Sequence, residues 1–325
     1  MNSYRSLPLA FDVGAARLRI ALAEASREGD VRVVAIASRD VPEGAASSTD
    51  IARPDLIAAI VDDALAELGT RERRAVFAIG HPAAIVRTMQ VPKMSWSERT
   101  RAARFEAQRF VTWDMEEEAT IVRVHCVDRA EGTFAVGAVQ ARALASRMAL
   151  AKACRVKVAG IDHDAFALRR AMPLADAIVD IGCERTLVHA YTPAGPLSWT
   201  VPAGGAEITR AIARELHLDA VTAEKRKRIL GAAGAGDSAR DGLVAQVAAA
   251  IDRARARGVI TRIALTGNGS RLPGIAPRLE HATGAIVESP VPTILQGDVY
   301  QDDVLRSAAP DWTLTAGLLS WSVAA

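Results

Sequence analysis

Two segments far apart in the chain share one order of apolar and polar positions. Residues 7–24 read LPLAFDVGAARLRIALAE. An apolar run from Leu9 to Phe11 ends at Asp12-Val13-Gly14, and a second run, Leu18 to Leu22, follows a short gap. Residues 175–191, ADAIVDIGCERTLVHAY, repeat the order: Ile178-Val179, then Asp180-Ile181-Gly182, then Thr186 to Val188. Each pattern predicts a strand, a tight glycine-containing turn and a return strand. A repeat on this scale predicts two related lobes. Further on, Ile263-Ala264-Leu265 reads as a short strand feeding the loop Thr266-Gly267-Asn268-Gly269-Ser270. Leu272-Pro273-Gly274-Ile275 then leads into a helix containing Leu279. A strand that feeds a glycine loop and a helix start is a good place for a nucleotide.

Composition narrows the class. The chain has 325 residues, half of them hydrophobic and 24% charged, with a formal net charge of +2. That is globular composition, long enough for two cores, and it demands neither nucleic acid nor an anionic membrane as main partner. No apolar run reaches the eighteen or so residues that a membrane span needs. The opening MNSYRSLPLAFDVG turns acidic after a few apolar residues and makes a poor secretion signal. Cys126, Cys154 and Cys183 are odd in number and lack CxxC spacing, so reduced thiols in a cytoplasm are expected. The histidines show no zinc spacing.

The repeated Asp-x-Gly suits a phosphate clamp. Gly14 and Gly182 permit turns that leave backbone N–H groups free and let a phosphate approach. Asp12 and Asp180 end buried strands, where a carboxylate is costly unless it is paired or serves a cation. Two such groups facing each other across a cleft would hold Mg²⁺ through water and orient a nucleophile. A single unit would be read as an Asp capping its own turn; one at the head of each half favours the clamp.

The three loops, FDVG, VDIG and LTGNGSRLPG, resemble in kind and order the two phosphate loops and the adenosine loop of the actin-like superfamily. Within it, several segments look like the PilM family of type IV pilus assembly proteins. They are Arg87-Thr88-Met89-Gln90-Val91-Pro92-Lys93-Met94 with the following Arg104-Phe105-Glu106-Ala107; Ala159-Gly160-Ile161-Asp162 leading to Phe166–Ala171; and Pro202–Thr209 leading to Ala223-Glu224 and Lys227. The resemblance covers nearly the whole chain. It implies an α/β, actin-like (ribonuclease H-like) two-lobed fold with a small α+β subdomain inserted in the first lobe. The implied divisions are a first lobe at 1–82, the insert at 83–159, helices returning to the first lobe at 160–176 and about 305–325, and a second lobe at 177–304. Ser95 and Glu98 supply a capping box for a helix through about Phe110. Thr120–Val127 and Thr133–Val139 read as strands around Ala130-Glu131-Gly132, and Ala141–Cys154 as another helix.

The resemblance also implies a function: ATP and Mg²⁺ held between the lobes, and capture of the cytoplasmic N-terminal segment of a PilN-like inner-membrane protein. The protein would be cytoplasmic, peripheral on the inner membrane through partners, with self-association into a ring as a further option. A related cell-division protein, FtsA, is tethered by a terminal amphipathic helix. The end of this chain, DWTLTAGLLSWSVAA, has Trp312 and Trp321 but no Lys or Arg, which favours a helix packed on the first lobe.

The match has gaps. Where the family carries serines and then a lysine, this chain has Ala15, Ala16 and Arg17, with Arg19 at the lysine position. Arg17 or Arg19 could replace the lost hydroxyl contacts by guanidinium–phosphate bonds. The second loop keeps Thr186. The resemblance implies that Glu224 and Lys227 line the adenine–ribose pocket, that Gly204 and Gly205 are further cofactor-binding residues, and that Gly267, Asn268 and Gly269 form the adenosine loop. Asn268 stands where a second glycine is usual, and Asn tolerates left-handed backbone. Asp164 is expected either to orient a water or to cap its helix. Two other classes stay open: a nucleotide-free pseudo-ATPase scaffold and an actin-fold small-molecule kinase. The run Lys225–Arg228 reads as a solvated helix face, not a nucleic-acid patch. At most a weak ATPase is expected.

Overall fold

The computed structural model describes residues 4–29, 31–47, 49–90, 94–128, 132–192, 195–292 and 309–321. In the first sheet, β2 (Leu9–Val13) and β3 (Arg17–Ala25) form the expected hairpin, with Asp12 opposite Arg19. β4 (Val31–Asp40) flanks β3 antiparallel, and the short β1 (Arg5–Ser6) pairs with the far end of β3. On the other side β5 (Arg74–Ile79) runs parallel to β2, and β9 (Lys157–His163) runs parallel to β5.

The second sheet repeats the plan. β10 (Ala177–Ile181) pairs antiparallel with β11 (Thr186–Thr192), and β11 with β12 (Gly195–Val201). β13 (Arg262–Thr266) and β14 (Ile286–Glu288) extend it in parallel. The internal repeat therefore runs through five strands of each lobe, beyond the hairpins from which it was read. It also explains where the loops meet. In both sheets the central strand ends in Asp-x-Gly at its carboxyl end, where ligands of open α/β sheets collect.

The central strands are apolar on both faces because helices cover both. Leu9, Ala10 and Phe11 are fully buried, and Phe11 stacks obliquely on Phe77 at 5.0 Å between ring centroids. One face carries α1 (Pro54–Glu67), which opens on a proline and buries Ile57, Val61, Ala64 and Leu65 as a single stripe. The other carries α4 (Asp164–Ala171) and the C-terminal α9 (Thr313–Leu319). The second lobe buries α5 (Gly205–Leu216), α7 (Asp237–Arg255) and α8 (Ile275–Thr283) around its own core, while α6 (Ala220–Leu230) rests on α5.

A third, antiparallel sheet stands apart: β6 (Ala84–Gln90), β8 (Thr133–Gln140) and β7 (Thr120–Asp128), in that order, with α2 (Trp96–Ala107) against it. The capping box is present: the Glu98 amide donates to Ser95 Oγ, and the Ser95 amide to Glu98 Oε2 at 2.8 Å. Residues 91–93 and 129–131, and the 305–308 part of the terminal segment, lie outside the described residues.

The expected insert, 83–159, runs too far. α3 (Ala141–Ala153) sends Leu150 and Ala151 into the first-lobe core beside α1, and β9 completes the first-lobe sheet. The separate sheet ends at Gln140, because the apolar face of α3 has its complement on the first lobe.

α9 lies against α4 so closely that a Cβ on Gly317 would sit 1.8 Å from the Ala167 carbonyl oxygen. Gly317→Val should therefore destabilise by about 1–3 kcal/mol through forced separation of the two helices. Gly242→Ala, in open space within α7, should stabilise by about 0.5–1 kcal/mol. Denaturant unfolding of both variants beside the parent checks the pair.

Candidate functional site

Both Asp-x-Gly hairpins close in the same way. The Gly14 amide donates to the Arg17 carbonyl at 2.9 Å, and the Gly182 amide to the Arg185 carbonyl at 3.0 Å. The hairpins face each other across a recess of about 150 Å³ lined by Asp12, Asp180, Gly14, Gly182, Asp164 and Gly267 among others. A larger cavity of about 720 Å³ continues from it, past Gly205, Glu224, Lys227, Asn268 and Gly269. That volume lies in the usual range for small-molecule sites.

The two jaws differ in charge. Opposite Asp12 stands Arg19, whereas opposite Asp180 stands Leu187. Arg19 is buried; its Nη1 donates to Asp12 Oδ2 at 3.2 Å and its Nη2 to Asn268 Oδ1. It thus joins the first Asp-x-Gly hairpin to the glycine loop of the second lobe. Arg17 instead pairs with Asp40 at the rim, at 3.2 Å. Burial raises the pKa of Asp12, with Arg19 opposing. Asp180 is pushed up to about 7, by burial first and then by the neighbouring charges of Asp12 and Asp164, against the pull of Arg19 and Arg185.

The glycine loop is shaped by contact. Gly267 has φ +78°, and a Cβ there would fall 2.2 Å from Asp180 Oδ1; one on Gly269 would fall 2.1 Å from Ile181 Cγ2. The left-handed backbone expected of Asn268 falls on Gly267 instead. Asn268 opens a short 3₁₀ turn and spends its side chain on Arg19.

Gly204 and Gly205 lie beneath the second Asp-x-Gly hairpin. A Cβ on Gly204 would meet the Gly182 and Cys183 carbonyls at 2.6 Å, and the Gly205 amide donates to Gly182 at 2.9 Å. Gly204 thus supports the loop from below. Thr186 is fully buried and donates to the Ala203 carbonyl at 2.9 Å, so its hydroxyl is spent inside the lobe. Glu224 and Lys227 form a network with Thr209: Lys227 Nζ meets Glu224 Oε2 at 2.6 Å and Thr209 Oγ1 at 2.8 Å, and also donates to the Gly205 carbonyl at 2.9 Å. Burial opposes ionisation of Glu224, but these donors hold its pKa below the ordinary value.

Asp164 opens α4 and is buried. Its Oδ1 accepts from the Ala165 amide at 2.7 Å and lies 3.0 Å from His163 Nδ1 and 3.9 Å from His189 Nε2. Burial pushes its pKa up, but the two histidines and the amide outweigh it and bring the group to about 2. His189 and His81 are both driven down to about 4 by burial. Asp164 approaches so closely that a Cβ on Gly80 would fall 1.6 Å from its Oδ2. Sequence reading missed Gly80, Arg147 and this histidine cluster. Each acts through a contact across the fold, and none sits in a motif.

Two lobes on one strand plan, with paired Asp-x-Gly hairpins opposed to a glycine loop, define a protein of the actin-like ATPase fold. The sequence profile of the type IV pilus assembly protein PilM matches residues 10–320, and the chain belongs to that family. Among solved structures, the PilM-PilN type IV pilus biogenesis complex matches at 25% identity, with 97% of this chain and 98% of that chain covered and a TM-score of 0.82. The ethanolamine utilization protein EutJ from Carboxydothermus hydrogenoformans matches at 13% identity over 98% of this chain and 90% of that chain, TM-score 0.62. The MamK double helical filament matches at 14% over 97% and 98%, TM-score 0.51. The last two show the fold alone. No curated protein matches the chain.

In the unfolded chain Asp180 titrates near 3.8, in the folded protein at about 7. Between these values the folded state binds the extra proton, so this group's contribution to stability falls as pH rises through the window and is flat above it. Asp180→Asn should therefore match the parent near pH 4 and exceed it at pH 8 by up to about 4 kcal/mol, less for any water reaching the site. Denaturant unfolding of the ligand-free protein across pH checks this.

Proposed function

We propose that this chain is a nucleotide-dependent adaptor of a type IV pilus or a related secretion or DNA-uptake machine. It binds ATP between its lobes and takes the cytoplasmic N-terminal segment of a PilN-like inner-membrane protein. The observation that carries the reading is the whole-chain likeness to the PilM-PilN complex, joined to membership of the PilM family. Among the described residues, no helix is long and apolar enough to cross a membrane. Attachment to the inner membrane through such a partner accords with that.

The residues fit a nucleotide. The larger cavity has room for a base and ribose beside the Thr209–Glu224–Lys227 network, and the recess between the hairpins offers Arg17 and Arg19 to phosphates. They also fit a cation at Asp180, a half-buried acidic group that faces Leu187 where Asp12 faces Arg19. Mg²⁺, when bound, would supply charge neutralisation there, with Asp12 and Asp180 as its holders through water. Asp164 spends Oδ1 on Ala165 and His163, so orienting a water falls to its Oδ2, which lies beside Gly80 at the recess. The lost hydroxyls at Ala15 and Ala16 remove donors worth about 1.5–3 kcal/mol each when the acceptor is charged. Binding is therefore expected to outlast hydrolysis.

One observation favours the nucleotide-free scaffold as second reading: Arg19 ties Asp12 to Asn268, joining the first hairpin to the glycine loop of the second lobe through protein groups alone.

Calorimetric titration with Mg-ATP separates the two readings. Saturable heat with a thermal shift supports the adaptor; neither effect leaves the scaffold. Asp180→Ala should weaken Mg-dependent affinity roughly ten- to a hundredfold, and Ala16→Ser should change it less. Equal affinity of Asp180→Ala and the parent would remove the carboxylate from the site. Retention of the protein on a peptide copied from the N-terminal segment of the PilN-like partner tests the adaptor half.

A further inference from the structure

Arg147 lies on α3, only 4% exposed, and lines the recess between the hairpins beside Gly80 and Asp164. Its guanidinium is held by carbonyl oxygens: Nε donates to Ala78 at 3.3 Å, and Nη1 to Thr49 at 2.7 Å and Ala143 at 3.2 Å. Nη1 also donates to Ser146 Oγ at 3.2 Å. Nη2 makes no hydrogen bond among the described residues, and Arg147 forms no ion pair among them.

A buried cation without a counter-ion is costly. Carbonyl dipoles offset part of that cost, and they also fix the side chain in one pose. The acidic groups that bear on it are Asp50 and Asp164, and Asp164 is already engaged by His163; Arg185 adds a second positive charge nearby. Burial accordingly lowers the guanidinium pKa to about 10. The group is pre-positioned, only partly neutralised, and open toward the space between the two phosphate hairpins.

We propose that Arg147 binds the terminal phosphate of the nucleotide. The inference rests on the nucleotide reading above and adds a contact from outside the three loops. α3 follows directly on β8, the central strand of the inserted sheet, with no residue between them. A grip on the phosphate at Arg147 therefore bears on the helix that roots the insert in the first lobe.

A purely structural Arg147, a staple for three carbonyls, would cost stability on substitution but would not change discrimination between nucleotides. The test is the ratio of the ADP and ATP dissociation constants, measured by calorimetry for the parent, Arg147→Lys and Arg147→Met, with thermal melts as fold checks. The ratio is internal to each protein and does not depend on the fraction folded. The parent should prefer ATP. The ratio should fall roughly ten- to a hundredfold in Arg147→Met and severalfold in Arg147→Lys, which keeps the charge but not the planar fork. Should the Met variant fail to fold, the Lys variant decides alone. A ratio within twofold of the parent's in a variant that still binds ADP overturns the role of Arg147 and leaves the nucleotide reading standing. A parent that binds neither nucleotide overturns both.

Discussion

Two carboxylates end two central strands at the middle of the molecule, and much of the surrounding structure answers the cost of placing them there. A buried charge is tolerated only where it is paired, hydrogen-bonded or neutralised. Asp12 is answered from its own hairpin by Arg19, in direct cross-strand register. Asp180 has Leu187 at the equivalent position and is left as a carboxyl group held near neutrality. Gly267 must lack a side chain because Asp180 occupies its space, and Gly269 because Ile181 does. The glycine loop is thus fitted to the second jaw by exclusion of volume.

The duplication makes this arrangement available. Each lobe is a three-strand antiparallel meander extended by two parallel strands, so each directs its first hairpin toward the same cleft. Covering both faces of each sheet with helices makes the central strands rigid, and rigid strands hold the aspartates at their ends. The C-terminal α9 contributes from far along the chain. It lies across α4, whose first residue is Asp164, so the terminal segment helps fix a cleft residue that it does not touch.

What could be read from the sequence was what is local in it. The two hairpins, the glycine loop and the Ser95–Glu98 box are each written within a few residues, and each formed where read. Allegiance of an element to one core or another is not local. Ala141–Cys154 reads as a helix either way, and only the complementary face of α1 decides that it belongs to the first lobe. Gly80 carries no signal because its constraint comes from Asp164, more than eighty residues away in the chain. Arg147 looks like any arginine in an alanine-rich helix until the carbonyls of Ala78 and Thr49 converge on it. Thr186 shows the converse: it sits at a motif position, yet its hydroxyl is turned to Ala203.

The chemistry around the first hairpin is that of guanidinium groups more than of hydroxyls. Ala15 and Ala16 bring no side-chain donors to its turn, but guanidinium groups stand around the same recess: Arg19 from the hairpin, Arg17 at the rim, Arg147 from beneath and Arg185 from the second hairpin. Hydroxyls place hydrogen bonds; guanidinium groups also bring charge, and in a low-dielectric cleft charge acts more strongly than a neutral donor. The cleft then holds guanidinium groups contributed by both lobes and, at the end of β10, a carboxyl group, Asp180, held near neutrality. A ligand that carries both signs, as a metal-bound polyphosphate does, answers both at once. Arg19 also reaches across to Asn268, which ties the glycine loop to the first hairpin. A ligand that takes the Arg19 guanidinium must share or break that link, so Arg19 sets how much of such a ligand's binding energy is offset there.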